Sequence, residues 1–393
     1  MNLLEVERSP KLSSIRERTR EFVDLHVIPR ESSKHVHDPH AIDTLLAELR
    51  PIARQLNLYL PQLAPEQGGM GLSWVERMVM LEEAGRSYLG PGALHCAAPD
   101  QPNMISLIRQ GTPAQQHTYL GPLAAGETRS CFAMTEPAPG AGSDPSMLRT
   151  HARRCQDGWI IDGHKWFITG AVGAHFAIVL AQTDEGPTQF IVETANPGFK
   201  LLRSIPAIDP YAIGGHGEIL LEGCSVSDEA VLGEVGQGLV YAQQRLEPAR
   251  LSHCMRLLGR ARRALELAQD YVNARQSFGN RLADLQQVQA MVADSWMDLH
   301  ASRLLTLDCA SRMDAGVSVK TASAMTKVFV SEALYRVADR AAQMMGAMGM
   351  SEDAPVALIL RELRPFRIYD GASELHRATL GRRILSKQQG DKQ

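Results

Sequence analysis

Past Gly233 the chain becomes three long runs with apolar residues at three- and four-residue spacing, and this periodicity constrains the fold more than any other feature. "CMRLLGRARRALELAQDYVNARQ", "LQQVQAMVADSWMDLHASRLLTLDCA" and "TASAMTKVFVSEALYRVADRAAQMMGAMG" are each long enough for roughly five helical turns or more. Leu257, Ala261, Ala264, Ala268 and Val272 fall on one stripe of the first, as an antiparallel bundle requires. Upstream the period changes. "SCFAM", "GWIIDG", "KWFITG", "HFAIVLAQT", "TQFIVET" and "GEILLEGCSV" are short apolar runs parted by Gly, Asp and Pro, which predicts strands of a barrel or sandwich. Earlier still, helical spacing returns in "AIDTLLAELRPIARQLNLYL", with breaks expected at Pro51 and Pro61, and in "WVERMVMLEEAGRSYL" after the glycine-rich turn "LAPEQGGMGLS". The expected class is α+β multidomain. It comprises an N-terminal helical domain over 1–129, a middle β-barrel or sandwich domain over 130–232 and a C-terminal four-helix bundle over 233–393, with "SKQQGDKQ" as a loose tail.

This order leaves several functions without support. With 44% apolar and 22% charged residues, the 393-residue chain has the balance of a soluble globular protein. A net charge of −3 argues against a nucleic-acid partner. The arginines crowded between Arg245 and Arg263 are interleaved with Glu247, and Glu266 follows, so they read as the polar face of a helix. No apolar run is long enough to span a membrane, and the N-terminus lacks the apolar core of a signal peptide. Six scattered cysteines without a C-x-x-C pair suit reduced thiols in a cytoplasm, the expected location. His35, His37 and His40 lack a second ligand cluster, so no metal is expected. Neither G-x-G-x-x-G after a strand nor a P-loop is present.

One carboxylate is ambiguous. In "FRIYDGASELHR", Asp370 reads first as a helix N-cap, with Glu374 in the first turn where negative charge is favoured. The alternative is a carboxylate placed to remove a proton.

"CFAMTEPAPGAGSD", "GHKWFITG", "RQSFG", "QMMGAMG" and "IYDGASELHR" occur in the order found in FAD-dependent acyl-CoA dehydrogenases, and the chain resembles that family over nearly its whole length. "APDQPNM", "GGHGEILLE" and "RLEPARLSHCMR" are most similar to the branch of acyl-CoA dehydrogenase family members 10 and 11. The resemblance implies α,β-desaturation of an acyl-CoA thioester to the trans-2-enoyl product. Asp370 would be the base, flavin N5 the hydride acceptor, and an electron-transfer flavoprotein the next electron carrier. It sets Met134 and Thr135 at the flavin's polar edge, Phe167 against the ring and Thr169 near N5. A hydroxyl and backbone amides can meet that edge while an aromatic ring covers a face. Ser143 would lie where the pantetheine chain meets FAD.

Arg275, Ser277 and Phe278, with Gln286, Gln343, Met344, Gly346 and Ala347, would face FAD phosphates and the shared cofactor site of a neighbouring subunit, which implies a homodimer or homotetramer. Gly371, Ala372 and Glu374 would complete the cofactor site. Glu247 and Arg250 would stand beside the thioester, along with Asp370 and Gly371. Three departures from the common pattern stand out. Phe167 occupies a frequent Trp position, the Thr-Glu-Pro-Ala-Pro-Gly loop carries Ala138 and Pro139 as extra residues, and Asp370 replaces Glu, shorter by about 1.5 Å. The base is expected to be buried enough for its pKa to rise toward neutrality. Glu374 is the rival base. A nitroalkane-oxidase-like flavoenzyme with an Asp base, and a flavin-binding DNA-associated homologue without turnover, remain as alternatives. Acyl length, branching and carrier stay open.

Overall fold

A computed structural model describes residues 3–32, 38–142, 144–209 and 213–390. Its N-terminal third is helical, with α1 at Pro10–Phe22, α2 at Pro39–Gln55, α3 at Trp74–Ala84 and α4 at Asp100–Gln110. Ser73 and Glu76 close a capping box at the start of α3, satisfying donors that the first turn would otherwise leave bare. Pro51 does not break α2 as expected. It and Ala47, whose carbonyl loses its donor, lie on the exposed face, while Ile42, Leu46, Leu49 and Ala53 are buried. Burial of that stripe outweighs one bond that water can replace.

The middle region is one seven-stranded sheet: β1 (Ser130–Ala133), β2 (His151–Cys155), β3 (Gly158–Thr169), β4 (Phe176–Thr183), β5 (Gly186–Glu193), β6 (Phe199–Ser204) and β7 (His216–Val226). The order is β1-β4-β2-β3-β7-β6, with β5 paired to β4. The sheet curls around Trp159, Ile161, Val179, Phe190, Ile219 and Leu221. "GWIIDG" and "KWFITG" form a single strand, because irregular registers at Ile161/Gly163 and Lys165/Ile168 absorb the break between them. Strands β2 and β6 show no alternating burial, since most of their residues, Leu201 and Leu202 among them, face solvent.

The C-terminal region holds α5 (Gly238–Ala274), α6 (Gln286–Asp314), α7 (Lys320–Met345), α8 (Pro355–Leu363) and α9 (Ser373–Gly390). The predicted stripe on α5 is buried at 0–2% exposure, against Leu299 of α6, Val330, Leu334 and Val337 of α7, and Val356 and Ile359 of α8. The short α8 supplies the fourth wall of the bundle. The tail is not loose through Gly390, where α9 ends. No described helix is long and apolar enough to cross a membrane.

Two glycines set how α5 meets the N-terminal helices. A Cβ on Gly259 would lie 1.9 Å from the Glu82 carbonyl oxygen, and one on Gly85 would lie 1.9 Å from that of Arg256. Backbones therefore touch where α3 crosses α5. The arginine-rich stretch of α5, expected to be a polar face, is largely inside this crossing. Arg262 pairs with Glu82 at 2.8 Å and Glu83 at 2.7 Å, Arg263 with Glu31 at 2.7 Å, and Arg260 with Glu362 at 2.7 Å. Burial pushes the Glu83 carboxyl up, but Arg262 and Arg20 outweigh it and hold it low.

Candidate active site

After α8 the chain makes a short turn at Pro365–Arg367 and reaches Asp370, whose φ of 55° is left-handed; Gly371 follows at 98°. Asp tolerates this region better than most side chains. Glycine is required next to it, because a Cβ there would stand 2.6 Å from His376 Nε2. Helix α9 begins at Ser373, and no backbone N–H of its first turn donates to the Asp370 carboxylate, so the capping role is overturned.

Two remote helices, α5 and α7, and the adjoining α9 hold this turn through its carbonyls. Arg250 Nε (2.8 Å) and His376 Nε2 (3.1 Å) donate to the Asp370 carbonyl, and Lys327 Nζ donates to that of Gly371 at 2.7 Å. Lys327 is fully buried, and burial lowers its pKa to about 8 despite the pull of Asp370. Among the described residues the Asp370 N–H makes no hydrogen bond. The carboxylate Oδ2 is sealed from solvent without an aligned donor, His253 Nε2 standing 3.3 Å away. The side chain keeps 18% exposure, which leaves Oδ1 as the oxygen able to meet a ligand.

The expected upward pKa shift is not found. Burial pushes the Asp370 carboxyl up, but the neighbouring His253 and the charges of Arg250 and Arg245 outweigh it and hold the group at about 2. His253, Arg256, Arg245, Lys327 and His376 were not singled out by sequence reasoning. Only the spacing of Arg250, His253 and Arg256, three residues apart on α5, hints that they form one row. Glu247 is half-buried on the same helix. Glu374, the rival base, is 76% exposed and lies 4.0 Å from Arg377. Ala372 is half-buried, and its carbonyl accepts from His376 N at 3.1 Å.

A second group of candidates comes together on the sheet. Met134 and Thr135 are half-buried at the end of β1, and Phe167 sits in the irregular stretch of β3 with φ of 50° and 46% exposure. Its ring is therefore turned outward beside Trp166, at a centroid distance of 5.0 Å. Thr169 Oγ1 lies 3.0 Å from His216 Nδ1, and His216 Nε2 lies 3.1 Å from Asp209. The Asp209 carboxylate accepts from the ring at Nε2, and the Thr169 hydroxyl faces the ring's other nitrogen.

The intervening loop hangs on Glu136, another residue that sequence reasoning missed. Its Oε1 accepts from Lys165 Nζ at 2.9 Å and Thr150 N at 2.8 Å, and its Oε2 accepts from Ala141 N at 3.0 Å and Arg149 N at 2.8 Å. Glu136 N also donates to the Ala141 carbonyl at 2.7 Å, so the extra Ala138 and Pro139 loop out exposed while the loop's base stays closed. Ser143 lies outside the described residues.

The third group lies at the ends of the long helices. Arg275 is exposed, and Ser277 is half-buried in a two-residue strand. Phe278 and Gly279 form the tip of the hairpin between Gln276–Ser277 and Asn280–Arg281, with φ of 52° and 83°. Phe278 is 96% exposed. Gln286, Gln343, Gly346 and Ala347 are exposed, whereas the Met344 side chain is buried in the bundle core, so only its backbone can face a ligand. Among the described residues no hydrogen bond or ring contact joins this group to the sheet group or to Asp370. No cluster of metal-ligating side chains occurs among the described residues, and His35 and His37 lie outside them.

Comparison with known proteins gives matches along the chain. The acyl-CoA dehydrogenase N-terminal, middle and C-terminal domain families match residues 9–127, 131–224 and 236–385. Acyl-CoA dehydrogenase family member 10 of Mus musculus is 34% identical, over 97% of this chain and 37% of its own length. The chain thus spans well under half of that relative. The (R)-benzylsuccinyl-CoA dehydrogenase of Thauera aromatica is 34% identical over 86% of this chain and 85% of its own. A glutaryl-CoA dehydrogenase of Mycobacterium smegmatis, solved in complex with FADH2, superposes with a TM-score of 0.85 at 25% identity, covering 97% of each chain.

Proposed function

The chain belongs to the acyl-CoA dehydrogenase family, and from that premise we propose that Asp370 removes the α-proton of an acyl-CoA thioester, giving a trans-2-enoyl-CoA. The protein is an FAD-dependent oxidoreductase. Its residues fit the cofactor: the outward Phe167 offers an aromatic face beside half-buried Met134 and Thr135, and Thr169 presents a hydroxyl oriented by His216. When bound, FAD supplies the two-electron acceptor, at N5, for the hydride leaving the β-carbon.

The observation that carries the reading is the Asp370 turn. It presents an ionised carboxylate oxygen and a backbone N–H without a partner among the described residues, on a turn whose carbonyls are held by Arg250 of α5, Lys327 of α7 and His376 of the adjoining α9. The N–H polarises the thioester carbonyl as enolate character develops, and Oδ1 takes the proton. Arg250 holds the turn through the Asp370 carbonyl, and Glu247 neighbours it one turn earlier on the same helix face. The shorter Asp asks the α-carbon to approach about 1.5 Å closer than Glu would. Its low pKa makes it a weak base that is always ionised, so carbonyl polarisation carries more of the barrier.

The exposed Phe278 hairpin, with Arg275, Ser277, Gln286, Gln343, the Met344 backbone, Gly346 and Ala347, would hold the FAD of a second copy, which would make the working unit at least a homodimer. Gly371, Ala372 and Glu374 would border the cofactor, and an electron-transfer flavoprotein would be the next electron carrier. A DNA-associated role finds no support in Arg260, Arg262 and Arg263 of α5, which are paired with buried or half-buried glutamates.

Asp370→Asn is expected to keep yellow, FAD-bound protein and to lose flavin bleaching on anaerobic titration with a panel of acyl-CoA thioesters. Bleaching at the wild-type rate in that variant sinks the assignment.

A further inference from the structure

Beside Asp370 the structure places an imidazole whose protonation is dictated from behind. Arg250, His253 and Arg256 follow one another at three-residue spacing on α5, a row that winds slowly round the helix and lies along the 366–370 turn. Arg256 spends all three of its nitrogens there. Nε donates to His253 Nδ1 at 3.0 Å, Nη1 to Glu362 at 3.1 Å and Nη2 to the Tyr369 hydroxyl at 3.2 Å. A guanidinium never accepts a hydrogen bond and keeps its charge, so Nδ1 must be the acceptor. The single proton of the neutral ring then sits on Nε2, the atom 3.3 Å from Asp370 Oδ2. Protonating Nδ1 as well would set N–H against N–H. Burial and the Arg256 charge both lower the His253 pKa, against the pull of Asp370. Phe366 and Tyr369, at centroid distances of 6.1 and 5.1 Å, wall the ring in.

We propose that His253 is a positioning residue for Asp370, held in one tautomer by Arg256 so that its N–H restrains Oδ2 and leaves Oδ1 directed at the substrate. The inference rests on the reading of Asp370 as the base. In the step it serves, the α-carbon's proton passes to Oδ1 while the C–H electron pair stays on the substrate. His253 neither gains nor loses a proton. Its Nε2 stands 3.3 Å from the sealed oxygen, which has no other hydrogen-bond partner among the described residues, so turning the carboxylate away from the ring would leave Oδ2 further from any donor.

The test is the pH dependence of flavin reduction by saturating and subsaturating acyl-CoA under anaerobic conditions, with FAD content checked by absorbance. The other groups around the pair are Arg245 and Arg250 on α5, Glu362 on α8, Lys327 on α7, His376 on α9 and Tyr369. They are unchanged in the variants, so differences from wild type report the His253–Asp370 contact. In wild type the acid limb lies below the measurable range, because Asp370 is held at about 2. His253→Ala is expected to retain FAD, to bring the acid limb up by about one to two pH units, and to slow reduction at saturating substrate by about 10- to 100-fold. Arg256→Met, which frees the tautomer, moves both quantities in the same direction. His253→Gln, which keeps a donor amide in place of the ring N–H, restores most of the rate. An unchanged limb and rate in His253→Ala, or a His253→Gln variant as slow as His253→Ala, overturns the proposal. Asp370→Asn separates the two readings. If it is inactive while His253→Ala matches wild type, the base stands and the positioning role falls. If it bleaches normally, the base itself falls.

Discussion

At the scale of single residues, the two carboxylates that matter are both held ionised, by different means. Asp370 is surrounded by donors and cations from remote helices. Glu136 accepts four hydrogen bonds, one from a fully buried Lys165. Burial raises the Glu136 pKa, and Lys165 with the Thr150 and Ala141 contacts overcomes this and sets it at about 2, below its usual 4.5. The folded state therefore binds this proton less tightly than the unfolded chain. The stabilisation is complete above about pH 4.5 and is lost as pH falls toward 2. Glu136→Gln is expected to destabilise the protein by about 3–5 kcal/mol at pH 7, because it leaves a buried ammonium unpaired. The loss should shrink as pH is lowered through that window, and a thermal-melt series against pH measures it. The sequence marks Glu136 only as part of "TEP". What makes it a hub is Lys165 arriving from β3 and the backbone of 141–150 folding over it.

At the scale of elements, the crossing of α3 and α5 decides where the site can be. Gly85 and Gly259 let the two backbones touch, and the buried Glu82 and Glu83 lock the crossing through Arg20, Arg262 and Arg303. The same helix α5 carries Arg250, His253 and Arg256, so a shift of the crossing moves the groups around Asp370. Gly259→Ala puts a Cβ 1.9 Å from a backbone oxygen, which no side-chain rotation can relieve. It is expected to cost about 3 kcal/mol or more, read as a lowered Tm. FAD should also be held less tightly, because the bundle must part from α3. The amphipathic stripe of α5 was legible because every neighbour on it is set by the 3.6-residue repeat. The burial of its arginines was not, because it depends on two glutamates some 180 residues earlier in the chain. Strand β3 shows the opposite limit: its irregular registers turn Phe167 outward, and a period-two pattern cannot show a bulge.

At the scale of the whole molecule, the sheet group and the bundle group proposed to face the cofactor do not meet within one chain among the described residues. The hairpin tip at Phe278 leaves a large aromatic side chain 96% exposed, and α6 exposes Trp296 and Met297. A second copy is the occupant the proposed function calls for. Phe278→Asp is expected to lower FAD retention at least tenfold, with the protomers separating in light-scattering measurements. An unchanged mass and full FAD content in that variant would remove the hairpin from the shared site.

What the sequence determined by itself was the succession of helical, extended and helical regions, the buried face of α5 and the position of a carboxylate between α8 and α9. Each of these depends on residues close together along the chain, where spacing alone sets which side chains share a face. The tertiary structure decided that Asp370 is no cap, that its pKa falls instead of rising, and that His253 Nε2 stands 3.3 Å from it. Those outcomes depend on electrostatic contacts within a few ångströms among α5, α7, α9 and the Asp370 turn, segments up to 120 residues apart, and such distances are fixed only once the helices have packed.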